Sequence, residues 1–201
     1  MEIKACPMGP YQTNCYLVET GGKTLIIDPG VGATEWVLRE AKNPVAILNT
    51  HGHFDHVWSN AELQEHLKIP LYVPEADAFM LERDPFGQGT PPSRPDVKVA
   101  PDSTLEIGGI PVTFRHFPGH TPGCSVLEIG ECWFSGDFLF RDSIGRWDFP
   151  YSSAEQMAES LRKAMTIEED FRLYPGHGPQ STLRREQRNL PLWLAEVQRR
   201  G

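Results

Sequence analysis

Three of the seven histidines in this chain fall within six residues, in the stretch NTHGHFDHVW at positions 49–58, with an aspartate among them. His51, His53, Asp55 and His56 are all good ligands for a divalent cation. A turn this dense is either a polar loop or one part of a site, and donors elsewhere in the chain decide between the two. Three later segments supply them: FPGHTPG carries His120, CWFSGD ends in Asp137, and LYPGHGP carries His177. Each of the four segments follows or closes a strand-like run. Each also contains glycine or proline, which let the backbone turn sharply and aim a side chain outward.

The donors add up to five imidazoles and two carboxylates. Two first-row metals with about four to six ligands each need roughly this number, if one carboxylate bridges and water completes the shells. The two remaining histidines are read differently. His66 lies in a helical pattern and is expected on the surface. His116 lies in a strand and is expected to pack or to support other groups.

The rest of the pattern sets the scaffold. NCYLVE and KTLIID read as strands around a Gly21-Gly22 turn. TEWVLREAK is helical, and VAILNT is a short buried strand ending where the histidines begin. NAELQEHLK is a helix with Asn60 as its cap, LYV is a strand, and PEADAFMLERD starts a helix with proline near its first turn. Residues 85–96, PFGQGTPPSRPD, are too rich in proline and glycine for a regular element and form a surface loop, a lid or a linker. STLEIGG, IPVTFRHF, SVLEIG and CWFSGD give four more strands. SAEQMAESLRKAM is an amphipathic helix, and FRLYPGHG is a strand ending in a tight loop. The tail from Thr182 to about Arg199 is helical, with an interruption at Pro191. This order suggests an α/β chain of one domain, 1–201, in which two mixed sheets face each other with helices outside.

Composition narrows the function classes. A net charge of −8 over 201 residues disfavours nucleic acid as a partner. No apolar run reaches about 18 residues, so no membrane span is expected. The start lacks the basic-then-apolar order of a signal peptide, which points to the cytoplasm. Cys6, Cys15, Cys124 and Cys132 form no C-x-x-C pair and are read as reduced thiols.

From LIIDPG through THGHFDH, PGHTPG and FSGDFLF to YPGHGP, the chain resembles the metallo-β-lactamase superfamily. RDSIGRWDFP and STLRREQRNLP resemble its small, single-domain, glyoxalase II-like branch of hydroxyacylglutathione hydrolases. The resemblance implies a four-layer αβ/βα sandwich with metals at the edge between its sheets. It assigns His51, His53 and His120 to a first metal, Asp55, His56 and His177 to a second, and Asp137 as the bridge. It places Asp28 behind the ligands as support. It also puts Arg146, in SIGRWD, where a basic residue faces substrate, with Arg141 bracing the loop.

The implied cofactors are two divalent ions, zinc first, with iron or manganese also suited to such donors. Two such ions lower the pKa of water to about 7, so hydroxide forms at neutral pH and no serine or cysteine nucleophile is needed. Asp55 is expected to help position that hydroxide. An aspartate at 137 argues against the β-lactamases that carry a cysteine ligand there. The implied substrate is a small-molecule thioester carrying a carboxylate, since a thiolate of pKa near 8.5 leaves without a strong acid. Only 24 residues follow His177, so the C-terminal helical domain with which full-length glyoxalase II grips glutathione is not expected. Lactonase, phosphodiesterase, and mono-iron persulfide dioxygenase chemistries fit the same motifs. A non-catalytic metal-binding or redox partner protein is the alternative outside enzymes.

Overall fold

The computed structural model describes residues 1–201. The first half runs β1 (Glu2–Met8), β2 (Thr13–Thr20), β3 (Lys23–Ile27), α1 (Thr34–Glu40), β4 (Pro44–Leu48), α2 (Phe54–Val57), α3 (Asn60–Leu67), β5 (Leu71–Pro74), α4 (Ala78–Arg83) and β6 (Val97–Val99). The second runs β7 (Ser103–Ile107), β8 (Ile110–His116), β9 (Ser125–Ile129), β10 (Cys132–Gly136), β11 (Leu139–Phe140), β12 (Ser143–Ile144), α5 (Ala154–Met165), β13 (Arg172–Pro175), β14 (Ser181–Thr182), α6 (Leu183–Gln187) and α7 (Leu190–Arg200). One mixed sheet has the order β1-β2-β3-β4-β5-β6, the other β14-β13-β10-β9-β8-β7.

The two-residue period of a strand sorts its side chains into three apolar layers. Tyr16, Val18, Leu25, Ile27, Ala46 and Leu48 face Val112, Phe114, Leu127, Phe134 and Tyr174 between the sheets. Their neighbours Leu17, Ile26 and Ile47 point the other way, onto Val37, Leu63 and Leu81 of the first helical layer. On the far side Val126, Trp133 and Leu173 meet Met157, Leu161 and Val197. Strands with both faces covered read as unbroken apolar runs, as VAIL does. The result is the expected four-layer αβ/βα sandwich.

The hairpins turn at Gly21-Gly22 and at Gly130, as the sequence suggests. Four details differ. β1 is a full strand paired along its length with β2, although KACPM carries no alternation. Asn60 is the first residue of α3, whose cap is Ser59, because its buried amide turns inward to donate to Asn49 Oδ1 at 2.8 Å. Pro74 closes β5, and a 3₁₀ turn over Glu75–Asp77 precedes α4, so the proline ends a strand and does not open a helix. The tail breaks at Arg188–Asn189, and Pro191 sits in the first turn of α7, where its missing N–H costs nothing. No helix is long and apolar enough to cross a membrane.

Phe134 sits at the centre of the inter-sheet layer, stacked on Tyr174 at 5.1 Å and edge-on to Tyr16 at 5.2 Å. Phe134→Ala is expected to lower the unfolding free energy by about 3–5 kcal/mol. Leu38→Ala, at a side chain 42% exposed, should change it by less than about 0.5 kcal/mol. Denaturant titration of the two variants checks both values.

Candidate metal centre

Ligands in open α/β sheets collect beyond the carboxyl ends of parallel strands. Three of the four donor loops leave such ends: His51–His56 after β4, Asp137 after β10, and His177 after β13. His120 joins them from the turn between β8 and β9. Local conformation aims each side chain. His53 is extended at the start of the one-turn helix α2, which carries Asp55 and His56. Gly136 has φ +49°, and a side chain there would strike Thr50, so only glycine lets β10 turn Asp137 inward.

The sequence-predicted donors converge. Ligand atoms of His51, His53 and His120 lie within 4.8 Å of one another, as do those of Asp55, His56 and His177. Asp137 stands between the two sets. Its Oδ2 lies 3.4 Å from Nε2 of both His120 and His177, and its Oδ1 lies 3.3 Å from His56 Nε2.

Four buried atoms at this point have no hydrogen-bond partner: Nε2 of His51, His56 and His120, and Oδ1 of Asp137. Unsatisfied buried polar groups cost about 1–3 kcal/mol each, and cations bound among these donors would satisfy all four. The opposite ring nitrogens explain why these are free. Nδ1 of His120 donates to the Arg146 carbonyl at 2.8 Å, and Nδ1 of His177 donates to the Tyr11 carbonyl at 3.0 Å. Asp28 anchors the other two rings. Its Oδ2 accepts from His56 Nδ1 at 3.0 Å and from the Thr50 hydroxyl at 2.7 Å, and that hydroxyl oxygen lies 3.0 Å from His51 Nδ1. With Nδ1 so engaged, each of these Nε2 atoms faces the centre. Asp28 also falls within reach of His51 and His56 as a donor group. It lies on the side of their outer nitrogens, however, bonding His56 Nδ1 directly and reaching His51 Nδ1 through Thr50.

Electrostatics separates the two sets. Burial pushes the His51, His53 and His120 rings below the usual imidazole range, His53 to about 3, so their lone pairs are available. Burial acts the same way on His56 and His177, but Asp55 and Asp137 outweigh it and raise both rings, His177 to about 9. Burial raises the two carboxyls, and His56 and His177 outweigh it. Asp55 falls to about 2, and Asp137 lies well below its ordinary value. Thr13 also donates to Asp55 Oδ2 at 2.6 Å. Three histidines form a neutral, cation-ready set, and in the second set the carboxylates hold protons on His56 and His177 that a bound cation would displace.

Asp77 escapes sequence reading, because PEADAF looks like any helix start. It is fully buried and accepts from Gly52 N–H at 2.9 Å, Thr121 Oγ at 2.6 Å and Gly123 N–H at 2.6 Å. It thus ties the His51–His56 loop to the His120 loop. Of the other residues singled out, Arg146 lines the cleft, but its side chain pairs with Asp148. Arg141 lies 3.8 Å from Asp142. His66 is exposed, and His116 donates from Nε2 to the Pro122 carbonyl at 2.8 Å. The 85–96 loop forms one wall of the cleft through Pro85, Phe86 and Gln88.

Residues 8–177 match the family model described as the metallo-beta-lactamase superfamily. The chain belongs to this superfamily. As a member, it is a metal-dependent hydrolase with its histidine and aspartate clusters at the edge between the sheets. It is 33% identical to a protein of Haemophilus influenzae named hydroxyacylglutathione hydrolase GloC, over 95% of this chain and 97% of that one. Among solved structures it resembles TTHA1623 in a di-iron-bound form (TM-score 0.82, 35% identity, 94% of this chain and 99% of that one). It also resembles the B3 metallo-beta-lactamase BLEG-1 (TM-score 0.84, 30% identity, 95% and 99%).

In this superfamily member Asp28 adopts φ +48°, which asparagine tolerates. Asp28→Asn should therefore keep the fold but leave too few acceptors for Thr50 and His56. Metal affinity is expected to fall about 10–100-fold in chelator competition. A change below about twofold contradicts the supporting role.

Proposed function

We propose that the chain hydrolyses a small thioester at a centre of two divalent ions. His51, His53 and His120 would hold one ion and Asp55, His56 and His177 the other, with Asp137 shared. The observation that carries this reading is the position of Asp137, whose Oδ2 lies equally near His120 of one set and His177 of the other, with Oδ1 beside His56. The Haemophilus relative named hydroxyacylglutathione hydrolase supports the substrate class. Zinc is the first choice of ion, and iron or manganese suits the same donors. The di-iron form of TTHA1623 supports iron.

Bound there, the ions would supply a water-derived nucleophile at neutral pH and a charge that polarises a carbonyl. The protein's own part is orientation. Asp28, Thr50 and two backbone carbonyls fix the histidine rings, and Thr13 fixes Asp55 opposite His177. Holding groups in place before reaction removes reorganisation from the barrier. Outside the proposed ligands, no carboxylic acid and no further imidazole lines the cleft. A leaving group must then depart without a strong proton donor. A thiolate does so readily, whereas an amine or alkoxide does not.

Asp55→Ala removes one proposed ligand from the one-turn helix α2, where Asp55 is buried outside the apolar layers. Thioester turnover is expected to drop by about 10²-fold or more, with the unfolding midpoint nearly unchanged. Near-wild-type turnover at unchanged metal content contradicts the role of Asp55. In a panel of thioesters, lactones, phosphodiesters and β-lactams, the thioesters are expected to be cleaved fastest. A clear preference for another class contradicts the thioesterase reading, and the BLEG-1 resemblance makes the β-lactams the informative comparison.

A further inference from the structure

The cleft over the donor cluster encloses about 730 Å³, room for a ligand of ordinary small-molecule size. Its walls are aromatic on both sides. Phe86 and Phe149 stand edge-on to His53, with ring centroids 5.2 and 6.0 Å away. Across the cluster, Phe140 stands 5.9 Å from His177, and Tyr11 packs edge-on to Phe54 at 5.3 Å. The chain leaves six large hydrophobic side chains exposed. Three of them, Tyr11, Phe149 and Tyr151, gather at this opening, where Tyr151 packs against Phe86. An exposed apolar patch rimming a cleft marks a binding surface.

Charge is arranged to match. No lysine lines the cleft, and its one arginine is already engaged. Arg146 donates from Nε and Nη2 to both oxygens of Asp148, at 2.7 and 2.8 Å, and its guanidinium lies over the Phe149 ring at 4.2 Å. Asp148 offsets the guanidinium's charge and takes its Nε and Nη2 side, so a substrate carboxylate reaching the open Nη1 side meets a neutralised pair. The net charge of −8 adds no long-range attraction for anions. Glutathione carries two carboxylates and would meet no unpaired cationic side chain of lysine or arginine in this lining.

We infer that Asp148 sets the specificity of this cleft. By occupying Arg146, it leaves a neutral aromatic mouth suited to thioesters whose acyl and thiol parts are uncharged and apolar, aromatic acyl groups foremost. This inference rests on the thioesterase reading above and narrows it away from glutathione. Asp148 acts through Arg146 and does not touch the reacting atoms.

The test uses the metal-loaded protein and two phenylacetyl thioesters with the same acyl group. One carries uncharged N-acetylcysteamine, the other glutathione. The wild type is expected to favour the uncharged thioester by about tenfold or more in kcat/KM. Asp148→Asn, which frees Arg146 without changing side-chain size, should move that ratio toward the glutathione thioester by about fivefold or more. The shift should shrink as salt is raised and vanish in the double variant Arg146→Gln/Asp148→Asn, which a merely structural role for Asp148 would not produce. A wild type that prefers the glutathione thioester, or a ratio that Asp148→Asn leaves in place while both thioesters are turned over, overturns this inference alone. Turnover of a lactone or β-lactam with neither thioester cleaved overturns the thioesterase reading and this inference with it.

Discussion

Three imidazole nitrogens and one carboxylate oxygen are buried at a single point with nothing to bond to, and the arrangement of the chain around that point follows from holding them there. Such groups are costly one by one. Four of the seven unpartnered buried side-chain atoms in the molecule lie in this one cluster, so the cost is concentrated and not scattered. A cation turns the same atoms from a liability into ligands. Metal binding and local stability are therefore linked, because the ions act on the folded arrangement and not on the open chain.

The scaffold meets this demand with rigid parts. Parallel strands deliver three of the donor loops to one edge, and buried polar groups then lock the loops to each other. Asp28 fixes rings from behind, and Asp77 ties the first histidine loop to the His120 loop. Asn14 reaches across to the His177 loop, donating to the carbonyls of Pro175 and Gly178 at 3.0 and 2.9 Å. Each lock joins segments far apart in the chain, so the geometry of the centre depends on both sheets being in place. The aromatic mouth is a separate layer, built from loops, and it can change substrate preference without disturbing the donors beneath it.

Much of this was legible in the sequence for a physical reason. Donor loops at strand ends need glycine and proline, and those residues stand beside His51, His120, Asp137 and His177. Buried strands and the Gly21-Gly22 turn announce themselves by composition. What stayed hidden depends on contacts between distant segments. Asp77 looks like a helix start, and Asn60 looks like a cap until Asn49 is brought next to it. β1 lacks alternation because its pairing with β2 defines it. Arg146 looks like a free cation, because only folding curls Asp148, two residues on, into a bidentate pair with it. The ring of Phe86, Phe149, Phe140 and Tyr11 comes from four separate loops and elements and has no local signature.

The central claim is that the seven donors hold two ions in a shared site. Anomalous diffraction from crystals of the metal-loaded protein, measured across the absorption edge of the loaded metal, tests it most directly. The account predicts two peaks about 3.5–4 Å apart, one against His51, His53 and His120, the other against Asp55, His56 and His177, with Asp137 touching both. A single peak at full loading, with His56 and His177 both unliganded, would contradict it.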